Sequence, residues 1–286
     1  MTEINSTRVV VTGGCGFIGS NLVDKLSYLG FEVTVVDDMR QGEVIFDRPN
    51  IRYIPEDVAT CDLTSKIKRP LAIFHLANSP RVRRSFDAPK ETIDNNITTT
   101  TAVAEWTRHW KTVLFFASSS STQYNESTNP YTWSKSACEQ ILKMYRTLYK
   151  IHAVNLFFYN VYGPGEADYG QYSTIIRKFK KDYLEGNPVT IFGNGSKERD
   201  FTHVDDVVQG LLQLMIDDTL HEEVHLGKGQ PVSILSIAQS FPTTIIHSFD
   251  KPGEAQRTFC KNPYIECPNN VFSYIDNWLK ENSIDN

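Results

Sequence analysis

Tyr131 and Lys135, in Tyr131-Thr132-Trp133-Ser134-Lys135, have the types and spacing for proton transfer. Four apart on a helix, they project from one face with Cβ atoms roughly 5–6 Å apart. An ammonium beside a phenol favours the phenolate. Bringing a tyrosine from about 10 to near 7 takes about 4 kcal/mol, which demands a water-poor site and a second cation. Alone, the pair also fits an ordinary amphipathic helix surface. Upstream, Ala117-Ser118-Ser119-Ser120-Ser121 puts hydroxyls at the end of an apolar run. A serine cluster by itself reads as a loop.

A third signal changes the reading of these two. Gly13-Gly14-Cys15-Gly16-Phe17-Ile18-Gly19 follows the apolar run Arg8–Thr12 and opens a helical pattern, Phe17 to Leu29, that stops at Gly30. Glycines there let the backbone turn tightly, approach a pyrophosphate and pack helix against strand. Asp37 ends the next strand, about 20 residues on, where such folds bind the adenosine ribose hydroxyls. A carboxylate at that point repels a 2′-phosphate, so NAD is favoured over NADP, with Arg40 close enough to blur the preference. An oxidised nicotinamide ring would supply the second cation that Tyr131 needs. The alternative for Asp37 is a surface acid capping a strand end.

These groups need a scaffold, and the first half of the chain reads as one. Strands are expected at Arg8–Thr12, Glu32–Val36, Ile51–Ile54, Leu71–Leu76, Thr112–Ala117 and His152–Phe158, with helices at Glu91–His109 and Pro130–Tyr149. Asn129 as N-cap with Pro130 at the first helical position marks the start of the helix that carries Tyr131 and Lys135. Alternation of this kind implies a doubly wound parallel sheet of the Rossmann type, helices on both faces. After Gly163-Pro164-Gly165 the pattern loosens into helices at Tyr172–Leu184 and Val204–Ile216, a strand at Val189–Phe192, and mixed segments at Glu223–Leu226, Ser233–Ser240, Thr244–His247 and Val271–Lys280. The expected architecture is an NAD-binding domain over 1–165 and a smaller α+β substrate lobe over 166–286, interleaved with the last strands of the sheet.

The 286 residues carry a net charge of -5, with 40% hydrophobic and 22% charged residues, ordinary values for a globular protein. No apolar stretch approaches the roughly 18 residues that span a bilayer. The N-terminus shows no basic region followed by an apolar one, so no secretory signal is expected. The five cysteines are scattered without a Cys-x-x-Cys pair, which argues against zinc or a disulfide framework and for a reducing cytosol. Mild acidity argues against a nucleic-acid partner.

The chain resembles the extended short-chain dehydrogenase/reductase superfamily, in its NAD-dependent nucleotide-sugar epimerase/dehydratase branch. The likeness rests on the glycine turn, Phe74-His75-Leu76-Ala77, Arg83-Arg84-Ser85, Asp94-Asn95-Asn96, the serine run and Tyr131/Lys135. It continues through Asn160-Val161-Tyr162-Gly163-Pro164, Ile191-Phe192-Gly193-Asn194-Gly195, Arg199-Asp200-Phe201-Thr202-His203-Val204-Asp205-Asp206 and Lys251-Pro252-Gly253-Glu254. The resemblance implies Ser120 as the catalytic hydroxyl, Tyr131 as acid/base, and Lys135 as its pKa-lowering partner and nicotinamide-ribose ligand. It implies that Gly13, Gly16, Phe17, Ile18, Gly19, Asp37, Asp38, Asn96, Ser118 and Tyr159 also meet the cofactor. Asp57 and Val58 match adenine positions, and Leu76 and Ala77 the diphosphate and ribose path. Toward the substrate it places Ser120, Asn160 at the sugar or its phosphate, Phe192 at the base, and Arg199 and Lys251 at the diphosphate. For Arg199 the alternative is an ion pair with Asp200 or Asp205.

Departures from the branch pattern bear on the reaction. Dehydratases carry Asp-Glu directly after the catalytic hydroxyl; here stand Ser121-Thr122, then Gln123. The cysteine of 3,5-epimerase/reductases is Thr122. The arginine before Pro-Gly is Lys251, which loses the bidentate fork. The segments between Tyr124 and Tyr131 and between Cys260 and Asn270 are short. Thr258, seven residues after Lys251, stands where a large aromatic would restrict the pocket to plain hexoses, so room for an N-acetyl group is expected unless Thr258 points away. These features favour 4-epimerisation of a UDP-hexose or UDP-N-acetylhexosamine through a 4-keto intermediate. The alternatives are a reductase, dehydratase or decarboxylase of the same branch, or a non-catalytic dinucleotide sensor. A homodimer is expected through the helices at Glu91–His109 and Pro130–Tyr149, with Trp106 and Trp110 read as exposed.

Overall fold

In a computed structural model, which describes residues 7–40, 44–80, 82–124, 129–166, 173–217, 219, 221–250 and 255–282, the first strand sets the frame. Strand β1 (Arg8–Thr12) alternates strictly: Val9 and Val11 join one apolar cluster and Val10 joins another. Successive strand side chains point to opposite faces, so an unbroken valine run demands cover on both. On one face that cover is α1 (Phe17–Tyr28), whose Leu22, Val23 and Leu26 pack with Val9 and Val11.

The chain continues through β2 (Glu32–Val36), β3 (Ile51–Ile54), α2 (Leu63–Lys66), β4 (Ala72–His75), α3 (Val82–Asp87), α4 (Pro89–Trp110), β5 (Val113–Ala117), α5 (Pro130–Tyr149) and β6 (His152–Phe158). Helices α4 and α5 cover the second face, with Val103, Trp106, Cys138, Leu142 and Tyr145 against Val10, Ile73 and Leu114. Asn129 caps α5 by accepting from Thr132 N at 2.8 Å, and Pro130 occupies the first turn, as the sequence indicates.

The second half runs β7 (Val161–Tyr162), α6 (Ile175–Leu184), β8 (Val189–Phe192), β9 (Glu198–Asp200), β10 (Thr202–His203), α7 (Val204–Ile216), β11 (Glu223–Leu226), β12 (Pro231–Ser233), α8 (Ile234–Gln239), β13 (Ile245–Ser248), β14 (Arg257–Thr258) and α9 (Val271–Glu281). Among the described residues the main sheet has seven strands in the order β11-β6-β5-β4-β1-β2-β3, all parallel. The chain leaves β1 toward β3 and returns on the other side through β4, so the order reverses between β1 and β4. Such a reversal opens a crevice at the carboxyl ends of the strands. The late strand β11 closes the sheet beside β6, and α7 lies over the same face as α1.

A third apolar cluster, including Tyr162, Phe179, Ile191, Phe201, Phe241 and Ile275, forms the core of the smaller half. There, β9 is flanked by β12 and β14, β8 pairs with β13, and β10 pairs with β7. Strands of two or three residues are too short to show a period, and the segment 233–240 resolves into the end of β12 and α8. Helix α6 begins at Ile175 because the Thr174 hydroxyl caps Arg177 N at 3.1 Å; Tyr172, the expected start, lies outside the described residues.

One expectation is corrected here. Trp106 and Trp110 are buried, not exposed, because the apolar stripe of α4 faces the sheet. Among the described residues no helix is long and apolar enough to cross a membrane.

Candidate functional site

A cleft of about 750 Å³ opens at the carboxyl ends of the parallel strands, where the strand order reverses. Its first wall is the glycine turn. Gly13 has φ +71°, and a Cβ there would lie 2.6 Å from Ala77 N. A Cβ on Gly19 would lie 2.1 Å from Gly13 O, a backbone clash that only glycine avoids. Gly16 meets nothing nearer than Gly13 O at 3.4 Å and caps α1 without a side-chain hydrogen bond. The first turn of a twelve-residue helix therefore presents backbone N–H groups to the cleft, the arrangement that holds a pyrophosphate. Phe17 and Ile18 line the same wall.

Asp37 stands at the end of β2, buried on the cleft wall. One carboxylate oxygen accepts from Cys15 N at 2.9 Å and the other from Met39 N at 2.8 Å. Burial raises its pKa against the pull of those two N–H groups. Asp38, Asp57 and Val58 also line this end. Arg40 turns into this acidic group: its Nε donates to Asp38 at 2.6 Å and its guanidinium lies 3.7 Å from Asp57. Leu76 and Ala77 continue the wall toward the centre.

At the centre, α5 presents Tyr131 and Lys135 together. Lys135 is 3% exposed, and its ammonium donates to Asn78 Oδ1 at 2.7 Å and to Ala117 O at 2.5 Å. It also lies 4.9 Å from the centre of the Phe116 ring. Burial draws its pKa down to about 8, so at neutral pH it still carries its charge. Opposite, the serine run leaves β5 and folds into a 3₁₀ turn at Ser120–Gln123. Ser119 caps that turn by accepting from Ser121 N at 3.2 Å. Ser118 and Ser120 both line the cleft.

At the far end are Asn160, Phe192, Arg199 and Thr258. Asn160 has φ +29°, a backbone region that asparagine tolerates better than most residues, and its amide donates to Asp200 O at 3.2 Å. Thr258 and Arg199 are paired across β14 and β9, which puts both on one patch of wall. The Asp200 carboxylate accepts from Gly229 N at 2.8 Å and Cys260 N at 2.9 Å, binding three segments of the smaller half together. Lys251 lies outside the described residues, as do Asn125–Thr128 in the shortened segment.

Two expected cofactor residues do not face the cleft. Asn96 is fully buried, donating to Ser134 Oγ at 2.9 Å and accepting from Ser79 N at 2.7 Å. Its neighbours Asn95 and Thr99 line the cleft instead, because one position on a helix rotates the side chain by about 100°. Tyr159 is also buried, its hydroxyl bonded to His225 Nδ1 at 2.8 Å, away from the cleft. Conversely, sequence reading missed Asn78, the partner of Lys135; its place just after β4, at the carboxyl edge, was the available signal. It also missed Tyr124, whose hydroxyl donates to Phe259 O and accepts from Phe259 N, both at 2.8 Å. That contact ties the serine turn to the residue after Thr258.

Comparison with known proteins agrees with this geometry. The pattern of the NAD dependent epimerase/dehydratase family matches residues 9–227. The chain is 33% identical to UDP-glucose 4-epimerase of Mycolicibacterium smegmatis, over 72% of each chain. It is 28% identical to UDP-N-acetyl-alpha-D-glucosaminuronate decarboxylase of Bacillus cytotoxicus, over 85% of this chain and 82% of that one. An epimerase of Methanothermobacter thermautotrophicus superposes with a TM-score of 0.89 at 25% identity, covering 97% of this chain and 93% of the other. With its glycine turn, its Asp37 and its Tyr131/Lys135 pair on one cleft, the chain belongs to the NAD dependent epimerase/dehydratase family, an enzyme family that uses NAD.

Proposed function

We propose that the protein is a nucleotide-sugar 4-epimerase acting on UDP-linked hexoses or N-acetylhexosamines. The observation that carries this is the composition of the cleft beside Ser120. Among the described residues, the carboxylates that line it, Asp37, Asp38, Asp57 and Glu91, lie with the acid cluster around Arg40 or, for Glu91, 2.5 Å from Arg84. None directly follows Ser120 in the serine turn, where Ser121, Thr122 and Gln123 stand, which disfavours an elimination that needs an acid and a base there. Hydroxyl, phenol and ammonium are the groups at hand for moving a proton.

NAD, when bound, supplies reversible hydride acceptance. Tyr131, as phenolate, takes the proton from the sugar C4 hydroxyl and returns it after the 4-keto sugar has turned over in the cleft. Lys135 supports the phenolate with its charge, and Ser120 hydrogen-bonds the same sugar oxygen. Arg199 holds the nucleotide diphosphate and Phe192 the base while the keto sugar rotates.

The test is incubation with UDP-glucose, UDP-galactose and their N-acetyl and uronate relatives without added cofactor. Interconversion supports the proposal; release of carbon dioxide or net consumption of NADH or NADPH overturns it. Tyr131→Phe should lower kcat by about 10²–10⁴-fold with NAD affinity nearly intact, since it removes the proton carrier and little cofactor contact. Retention of more than about a tenth of the rate would assign the base elsewhere.

Thr258 is small and on the cleft wall beside Arg199, which leaves room for an N-acetyl group. Thr258→Tyr should therefore depress turnover of N-acetylated substrates selectively, and equal loss on plain hexoses would remove Thr258 from the specificity argument.

Discrimination between cofactors follows from the clamp on Arg40. With its guanidinium drawn to Asp38 and Asp57, a 2′-phosphate meets net negative charge. Wild type should bind NAD in preference to NADP in a fluorescence titration. Asp38→Ala should narrow the preference about fivefold, the worth of about 1 kcal/mol of charge interaction in a solvated site.

The dimer expectation survives the burial of Trp106 and Trp110 on different residues. Trp133, Met144 and Leu148 recur on one face of α5 and are 46%, 45% and 63% exposed. A second copy of the chain covering this face gives a homodimer. Light scattering at micromolar concentration should read twice the chain mass, and Met144→Glu with Leu148→Glu should return it to the single value.

A further inference from the structure

Behind the serine turn, outside the cleft, lies a carboxylate that the proton chemistry does not touch. Glu139 sits on α5 one turn beyond Lys135 and two beyond Tyr131, on the same side of the helix. Its Oε1 accepts from the Ser118 hydroxyl and, at 3.0 Å, from Thr122 Oγ1. These two residues bracket Ser119, Ser120 and Ser121. The Thr122 hydroxyl also reaches Ser119 O at 2.9 Å, and Ser121 Oγ accepts from Thr132 Oγ1 at 3.1 Å. The turn is thus fastened to α5 at two points, beside Tyr131 and two turns further on.

A partly buried carboxylate is a costly way to hold a loop, since well-packed apolar groups of the same volume often do as well or better. What a carboxylate adds is direction. It only accepts when ionised, so the Ser118 hydroxyl must point its proton at it, while the single Thr122 proton is shared between it and Ser119 O. Burial raises the Glu139 carboxyl above its ordinary range and Glu223 adds to this, while the two hydroxyls and the Lys135 ammonium oppose it. Ser119 and Ser121 share a hydrogen bond at 2.9 Å. Of the four serines, Ser120 alone has a hydroxyl with no partner among the described residues, and it lines the cleft.

We propose that Glu139 is a positioning residue that holds Ser118–Thr122 in register with Tyr131, so that the Ser120 hydroxyl meets the same substrate oxygen as the phenol. This rests on the reading of Ser120 and Tyr131 as the reacting pair. Because Glu139, Lys135 and Tyr131 ride on one helix, a shift of α5 carries the serine turn with it and keeps the distance between the two groups. A misplacement of about 1 Å at such a site costs on the order of 10²-fold in rate.

The test compares Glu139→Leu, Glu139→Gln and the double variant Ser118→Ala/Thr122→Val on the nucleotide sugar that wild type epimerises, with NAD titrations alongside. Glu139→Leu should lower kcat roughly 10–100-fold while KM and NAD affinity move less than about threefold. Glu139→Gln, which keeps an acceptor oxygen, should restore kcat to within about threefold of wild type. The double variant should reproduce the loss, and joining it to Glu139→Leu should add nothing further. If Glu139→Leu fails to fold, seen as loss of both NAD binding and a cooperative melt, the double variant decides alone. Glutamine as damaging as leucine, or additive losses, would overturn the role. Ser120→Ala at the wild-type rate would overturn the reading of the reacting pair and this role with it. A slow Ser120→Ala beside an unimpaired Glu139→Leu would overturn the role of Glu139 alone.

Discussion

Lys135 carries its charge to a place where 3% of its surface meets water, and the rest of the site is arranged around keeping it there. An ammonium taken from water loses several kcal/mol of hydration, which only directed acceptors can offset. Here the acceptors come from two neighbouring strands. Ala117 O ends β5, Asn78 follows β4, and the Phe116 ring faces the ammonium from the sheet. One cation therefore ties α5 to two neighbouring strands at the edge where the cleft opens. The same burial lowers its pKa to about 8, which keeps a charge beside Tyr131 without fixing it as strongly as a solvated lysine would.

The other half of the cleft is held by acids rather than by a base. Asp37 uses both carboxylate oxygens on backbone N–H groups, so its orientation is set before any ligand arrives. Asp200 in the smaller half takes two backbone N–H groups on a single oxygen, Oδ2, drawing the Gly229 and Cys260 segments onto β9 beside Arg199. Glu139 repeats the device with hydroxyl donors. In each case a carboxylate withdrawn from water accepts from donors of the chain and so fixes the segment that carries them.

The smaller half reaches the reacting centre through few contacts. The double hydrogen bond between Tyr124 and Phe259 joins the serine turn to β14, and Asn160 joins the end of β6 to Asp200. The register of β14 on β9 then decides that Thr258 and Arg199 share one wall. The wall at Thr258 and Arg199 and the serine turn beside Tyr131 thereby belong to one connected frame.

Much of this was determined by local order in the sequence. The run Val9-Val10-Val11 has the character of a strand covered on both faces, the glycines from 13 to 19 suit a tight turn between that strand and a helix, and Asn129-Pro130 began the helix where the structure begins it. Those features depend on the backbone and its nearest neighbours. Tertiary structure decided which side chains the turns deliver to the cleft. Asn96 and Tyr159 sit in matching motifs yet turn inward, Trp106 and Trp110 serve the chain's own core, and Glu139 lies under a turn from residues 17 and 21 positions earlier. Tyr124 and Phe259 meet across 135 residues. Periodicity reports that a face is buried, but the partner on it depends on register and rotation, which are settled only when the elements pack together.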